Sequence, residues 1–196
     1  MATLNLTASL EAVIADIVCR VDELSHIDPA RLLVAVAASR NGTRHRLFAK
    51  IHPLRFKGGD KSAEERSGRS RYLLTMPTIE HRGTEMLYLI YFLVPRFLDL
   101  PFQEKLVTIF HELYHISPAF DGDIRRFAGR NHAHGSSTKR YNQFMATLVD
   151  RYLKGLENSD HLEFLATDQS TLRENYRAIV ARKLPAPRLG VKRIVS

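Results

Sequence analysis

A chain of 196 residues is long enough for one domain with a sizeable core and barely long enough for two. Hydrophobic residues make up 44% and charged residues 26%, which excludes the disordered and fibrous classes. With 29 Lys and Arg against 21 Asp and Glu, the net charge of +8 implies a surface that attracts polyanions or acidic proteins.

The N-terminal stretch lacks the basic start of a secretory signal and is interrupted by Glu11 and Asp16. From Ser9 to Ser25 it places Leu10, Val13, Ile14, Ile17, Val18 and Val21 on one helical stripe, with Ser9 as the expected cap. Cys19 falls between Val18 and Val21 and is expected to be a buried structural thiol. Arg31 to Arg40 is a short apolar run and Arg46 to Phe56 alternates, so two strands are expected, joined by the turn signal Asn41-Gly42-Thr43. The polar, Gly- and Ser-rich stretch Lys57 to Ser70 is expected to be a mobile loop able to gate a cleft.

Strand signals return in Arg71 to Glu80 and in Thr84 to Val94, joined across His81-Arg82-Gly83. The longest apolar run, Leu87 to Val94, is far shorter than the ~20 residues of a membrane helix, so a cytoplasmic protein without membrane contact is expected. Pro101 fits the first turn of a helix running to Ile116. Residues 117–137 have no periodicity and are expected to be a long, shaped loop. A further helix follows, with Tyr141, Phe144, Met145, Leu148, Tyr152 and Leu153 on its apolar side. Ser170 to Lys183 has helical character, and residues 182–196, with Arg188, Lys192 and Arg193, are expected to be a basic extended tail to a single domain spanning residues 1–181.

Within the Pro101 helix, His111, Glu112 and His115 form the pattern His-Glu-x-x-His. At about 100° per residue, setting His111 at zero puts His115 near 40° and Glu112 near 100°, whereas Leu106, Ile109, Phe110 and Leu113 fall on the remaining arc. Histidines four apart reach one Zn²⁺, and a neighbouring carboxylate can take a proton from a water whose pKa the metal lowers to about 7. Because Cys19 is the only cysteine, disulfides and multi-thiolate zinc sites are excluded, and the third ligand must be a histidine or a carboxylate. The downstream loop offers His132, His134, Asp121 and Asp123. Asp121-Gly122-Asp123 also reads as a turn, and Tyr141 reads either as an oxyanion donor or as core packing. Arg125, Arg126, Arg130, Lys139 and Arg140 form a basic rim around the cleft, and His26, His45, His52, His81 and His161 have no ligand spacing.

The segment "HELYHISPAFDGDIRRFAGRNHAHGSS" resembles the phage metallopeptidase group and, more distantly, the SprT-like zinc metalloproteases. The resemblance covers roughly residues 106–141. It implies a minimal zincin-like α+β domain: an N-terminal helix, a small mixed or antiparallel sheet, the His-Glu-x-x-His helix, a ligand loop and a supporting helix. It also implies zinc on His111, His115 and His134, with Glu112 as the general base that activates the zinc-bound water. Gly135, after His134, would let the backbone approach the metal closely. The Asp-Gly-Asp insertion and the lack of a four-cysteine ribbon depart from SprT-like enzymes, whose association with DNA-bound proteins is matched here only by positive charge. Two functions are therefore expected in competition. One is a zinc metallopeptidase acting on protein or peptide. The other is a catalytically silent, metal-stabilised module of a phage or mobile element that binds nucleic acid or protein through its basic rim and tail.

Overall fold

In the computed structural model, which describes residues 1–39, 47–126 and 138–194, strand β1 (Thr3–Asn5) leads directly into helix α1 (Leu6–Arg20). All six apolar stripe residues of α1 and its exit are buried. The cap is Asn5 rather than Ser9: its side chain accepts the Ala8 N–H at 3.2 Å. Cys19 is exposed, correcting its expected burial. It lies about 180° around the helix from Leu10 at 100° per residue, so sequence adjacency to Val18 did not place it on the apolar stripe.

The chain continues through β2 (Leu32–Ala38), β3 (Ala49–Pro53), β4 (Ser62–Ser67), β5 (Ser70–Thr75), β6 (Glu80–His81), β7 (Thr84–Glu85) and β8 (Tyr88–Val94). Helices α2 (Phe102–Tyr114), α3 (Thr138–Lys154) and α4 (Gln169–Asn175) follow, then β9 (Ala178–Val180) and β10 (Gly190–Ile194). The main sheet has the order β2-β8-β3 and is mixed, β2 running parallel and β3 antiparallel to β8. The expected pairing of β2 with β3 is thus replaced by insertion of β8 between them, and the turn signal at Asn41-Gly42-Thr43 lies outside the described residues. Strand β8 buries alternate side chains on both faces, which is why it reads as an unbroken apolar run.

Tyr88, Ile90 and Phe92 face the large core shared with α1, α2 and α3. Leu89 and Tyr91 face a smaller cluster with Leu33, Ala35, Leu54 and Met86. Leu184 packs on that second cluster, and the Tyr91 hydroxyl donates to the Pro185 carbonyl at 2.9 Å. The C-terminal segment therefore covers the sheet's outer face. It then supplies β10 to a second antiparallel sheet, β10-β5-β4. The expected mobile loop at Lys57 to Ser70 is largely strand β4, and the expected helix at Ser170 to Lys183 stops at Asn175, after which β9 pairs parallel with β1. Lys105 of α2 is buried, its ammonium donating to the Leu165 and Thr167 carbonyls at 2.9 and 2.6 Å. Among the described residues no helix is long and apolar enough to cross a membrane.

The Asp-Gly-Asp insertion is anchored to β8. Tyr88 is fully buried; its hydroxyl accepts the Gly122 N–H at 2.9 Å and donates to the Asp123 carbonyl at 2.8 Å. Gly122 has a φ of 89°, and a Cβ there would sit 2.5 Å from Cγ of Arg55, so backbone and arginine stem leave no room for a side chain. Tyr88→Phe strands the Gly122 N–H, while the Asp123 carbonyl keeps its bond from the Ser117 N–H at 3.2 Å, and a loss of about 1–3 kcal/mol in denaturant unfolding is expected. An unchanged midpoint would show that water replaces the hydroxyl at no cost.

Candidate metal centre

Pro101 stands at the N-terminus of α2, and Leu106, Ile109, Phe110 and Leu113 pin the helix to the core with none of their surface exposed. That packing turns His111, Glu112 and His115 together toward α3 and the edge strand β3. The face is free of the apolar core stripe, as the spacing implies, yet it is not open to solvent: Glu112 is 7% and His115 9% exposed. The His111 and His115 rings lie 4.7 Å apart between centroids. His115 is the C-cap residue just after Tyr114, with φ −71° and ψ −15°, one turn beyond His111.

Tyr141, from the first turn of α3, packs 4.9 Å from the His111 ring and stacks on His115 at 5.7 Å. Its hydroxyl donates to the His111 backbone carbonyl at 3.4 Å. The side chain is buried, and that burial raises its pKa and keeps the phenol protonated. Of the two roles expected for Tyr141, the structure places it as packing against the paired imidazoles.

The Glu112 carboxyl faces the backbone of Ile51 in β3, which favours its ionised form. In the β3–β8 ladder Phe48 accepts from Leu93 and Leu54 donates to Leu87, so Ala49 and Ile51 turn their backbone groups to the sheet's outer edge. Among the described residues no strand pairs with that edge. Burial dominates the electrostatics of the Glu112 carboxyl and lifts its pKa to about 7, with the Ile51 backbone opposing the shift.

The end of α2 is stitched to the following loop. Ile116 bridges Ile124, Arg125 N–H donates to the His115 carbonyl at 2.6 Å, and the Arg125 guanidinium donates to the Tyr114 carbonyl at 2.8 Å. That guanidinium also lies 4.1 Å over the Tyr114 ring, adding a cation–π contact to a helix C-terminal cap. The His26 ring lies against this junction from the other side; burial, then the charge of Arg125, lower its pKa. Charge alone placed Arg125 on a solvated rim, and nothing in the sequence spacing marked His26 or Ile51.

Asp121 and Asp123 form the turn that their sequence suggests. Asp121 accepts the Asp123 N–H at 3.1 Å, and Asp123 accepts from Ile124 N–H at 2.8 Å and pairs with Arg126 at 2.9 Å. His132, His134, Gly135 and Arg130 lie outside the described residues. Among the described residues no three potential ligands cluster, so two imidazoles and a carboxylate are the part of a metal site that is described. That part fits a metal in chemistry: two nitrogen donors one helical turn apart, a buried carboxylate beside them and no thiolate.

A cleft of about 850 Å³ opens directly onto His111 and Glu112. Its walls are mainly apolar, with Leu47, Phe48, Leu100 and Val107 among them. Paired helical histidines with an intervening buried carboxylate, opening on a cleft at a sheet edge, are the layout of a metallopeptidase. At family level the sequence comparison agrees: the chain belongs to the family described as "Putative phage metallopeptidase", whose model matches residues 6–152. No curated protein and no solved structure matches the chain.

The raised Glu112 pKa has a testable sign. A carboxyl titrating higher in the folded than in the unfolded state favours folding below the ordinary glutamate range, and that advantage is lost as pH rises through about 7. Metal-free protein is therefore expected to lose about 2–3 kcal/mol of stability between pH 5 and 8 from this group, and Glu112→Gln to flatten that slope. Equal slopes in chemical denaturation of the two proteins would contradict the burial of Glu112.

Proposed function

We propose that the protein is a zinc-dependent metallopeptidase of the SprT-like, His-Glu-x-x-His type, acting on protein or peptide in the cytoplasm. His111, His115 and His134 hold the metal, and Glu112 is the general base. The observation that carries the reading is the position of Glu112: a buried carboxylate beside two imidazoles, at the mouth of a cleft and against an edge strand. When bound, zinc supplies Lewis-acid polarisation of a peptide carbonyl.

The protein's own groups have distinct tasks. The outward backbone groups of Ala49, next to the Ile51 backbone that faces Glu112, offer a strand edge on which an extended substrate can align by backbone hydrogen bonds. Glu112, ionised, takes a proton from the attacking water and passes it to the departing amine. The apolar cleft walls exclude bulk water and raise the effect of nearby charge. Tyr141, packed on both histidines, and the Arg125 cap keep the two rings in register.

Glu112→Gln keeps the hydrogen-bonding shape while removing the base, so kcat should fall by about 10²–10⁴ with zinc content unchanged. Undiminished cleavage would remove Glu112 from the mechanism and favour the catalytically silent binding module. His134→Ala should bind much less than one equivalent of zinc; a full equivalent would transfer the third ligand to His132 or an aspartate.

A further inference from the structure

The β10-β5-β4 sheet has no buried residue on any of its three strands. Core formation therefore does not explain its sequence. Its segments, residues 62–75 and 190–194, hold five cations against two anions, which is +3 of the chain's +8. This concentration appears only on folding, when the C-terminal Lys192 and Arg193 are laid opposite Leu73 and Tyr72 of β5.

The register makes the charge denser still at the hairpin tip. Arg66 and Arg71 stand directly opposite each other across β4 and β5, and Arg69 sits in the two-residue turn beside them. Like charges directly opposite destabilise a strand pair. Glu64 pairs with Arg71, but both side chains are more than half exposed, so this ion pair offsets little. Lys192 belongs to the same face as Arg66 and Arg71 by strand alternation. By contrast, two cations of the expected rim are engaged internally: Arg125 caps α2, and Arg126 pairs with Asp123.

We infer that the tip and outer face of this ribbon, centred on Arg66, Arg69, Arg71 and Lys192, bind the phosphate backbone of a nucleic acid. The two-stranded β4–β5 hairpin tip has the width that the major groove of duplex DNA admits, and guanidinium groups match phosphate geometry. Arginine rows held against their own repulsion gain most from a polyanion that supplies regularly spaced charge. The inference is independent of peptidase chemistry, because the ribbon shares no residue with the metal centre or its cleft.

The test is binding of a labelled random-sequence DNA duplex to the zinc-loaded full chain by fluorescence anisotropy, titrated between about 0.05 and 0.2 M salt. The triple variant Arg66→Ser, Arg69→Ser, Arg71→Ser should bind more weakly, with a slope of log affinity against log salt shallower by about 2–3. Zinc content and melting temperature should stay those of the wild type. The control Arg173→Ser, Arg177→Ser removes two exposed cations elsewhere and should bind as the wild type does. Absence of binding at about 0.05 M salt, or equal weakening by the control, would overturn the inference. Tighter binding of polyglutamate than of duplex would also overturn it and give the surface to acidic proteins.

Discussion

The placement of the Ile51 backbone of β3 against the Glu112 carboxylate of α2 fixes the relation on which the site depends. It requires an outward-facing N–H, hence an edge strand, and β3 is that edge because β8 takes the central place. It also requires α2 to lie along β3 with its polar face inward, which the buried Leu106, Ile109, Phe110 and Leu113 enforce from the opposite face. Burying a carboxylate here is costly for the metal-free chain. A cation between the imidazoles would offset that cost by favouring the ionised form. A protonated carboxyl without a cation and an ionised one beside a cation are thus two aspects of one arrangement.

His115 is harder to hold, since it stands where a helix would ordinarily fray. Its position is over-determined by contacts from outside α2. The Arg125 cap and the Ile116 to Ile124 bridge hold the backbone, while Tyr141 covers the ring. The Asp-Gly-Asp turn then fixes the loop that carries Arg125, through the buried Tyr88 hydroxyl. An insertion that sets this chain apart from SprT-like enzymes therefore has a structural task close to the metal.

Much of this was legible in the sequence wherever one element's own periodicity decides the outcome. The stripes of α1 and α3, the strand β8 and the polar face of α2 all follow from local spacing. What was not legible depends on partners distant along the chain. The Asn41-Gly42-Thr43 signal is local, yet the strands flanking it each pair with β8, about 40 or more residues downstream. Strand β4 has wet faces on both sides, so it carries no apolar alternation and resembles a loop. Arg125 read as a rim charge because sequence reports its sign and not the carbonyl it caps. That His111, Glu112 and His115 share one face of α2 was visible from their spacing, whereas the groups packed around them were not.

The most direct measurement is the zinc-edge X-ray absorption spectrum of the metal-loaded full chain. Three imidazole nitrogens at about 2.0–2.1 Å, a lighter oxygen donor and no sulfur are predicted. A first shell with fewer than three imidazoles, or one containing sulfur, would contradict the assignment of His111, His115 and His134 as the metal's ligands.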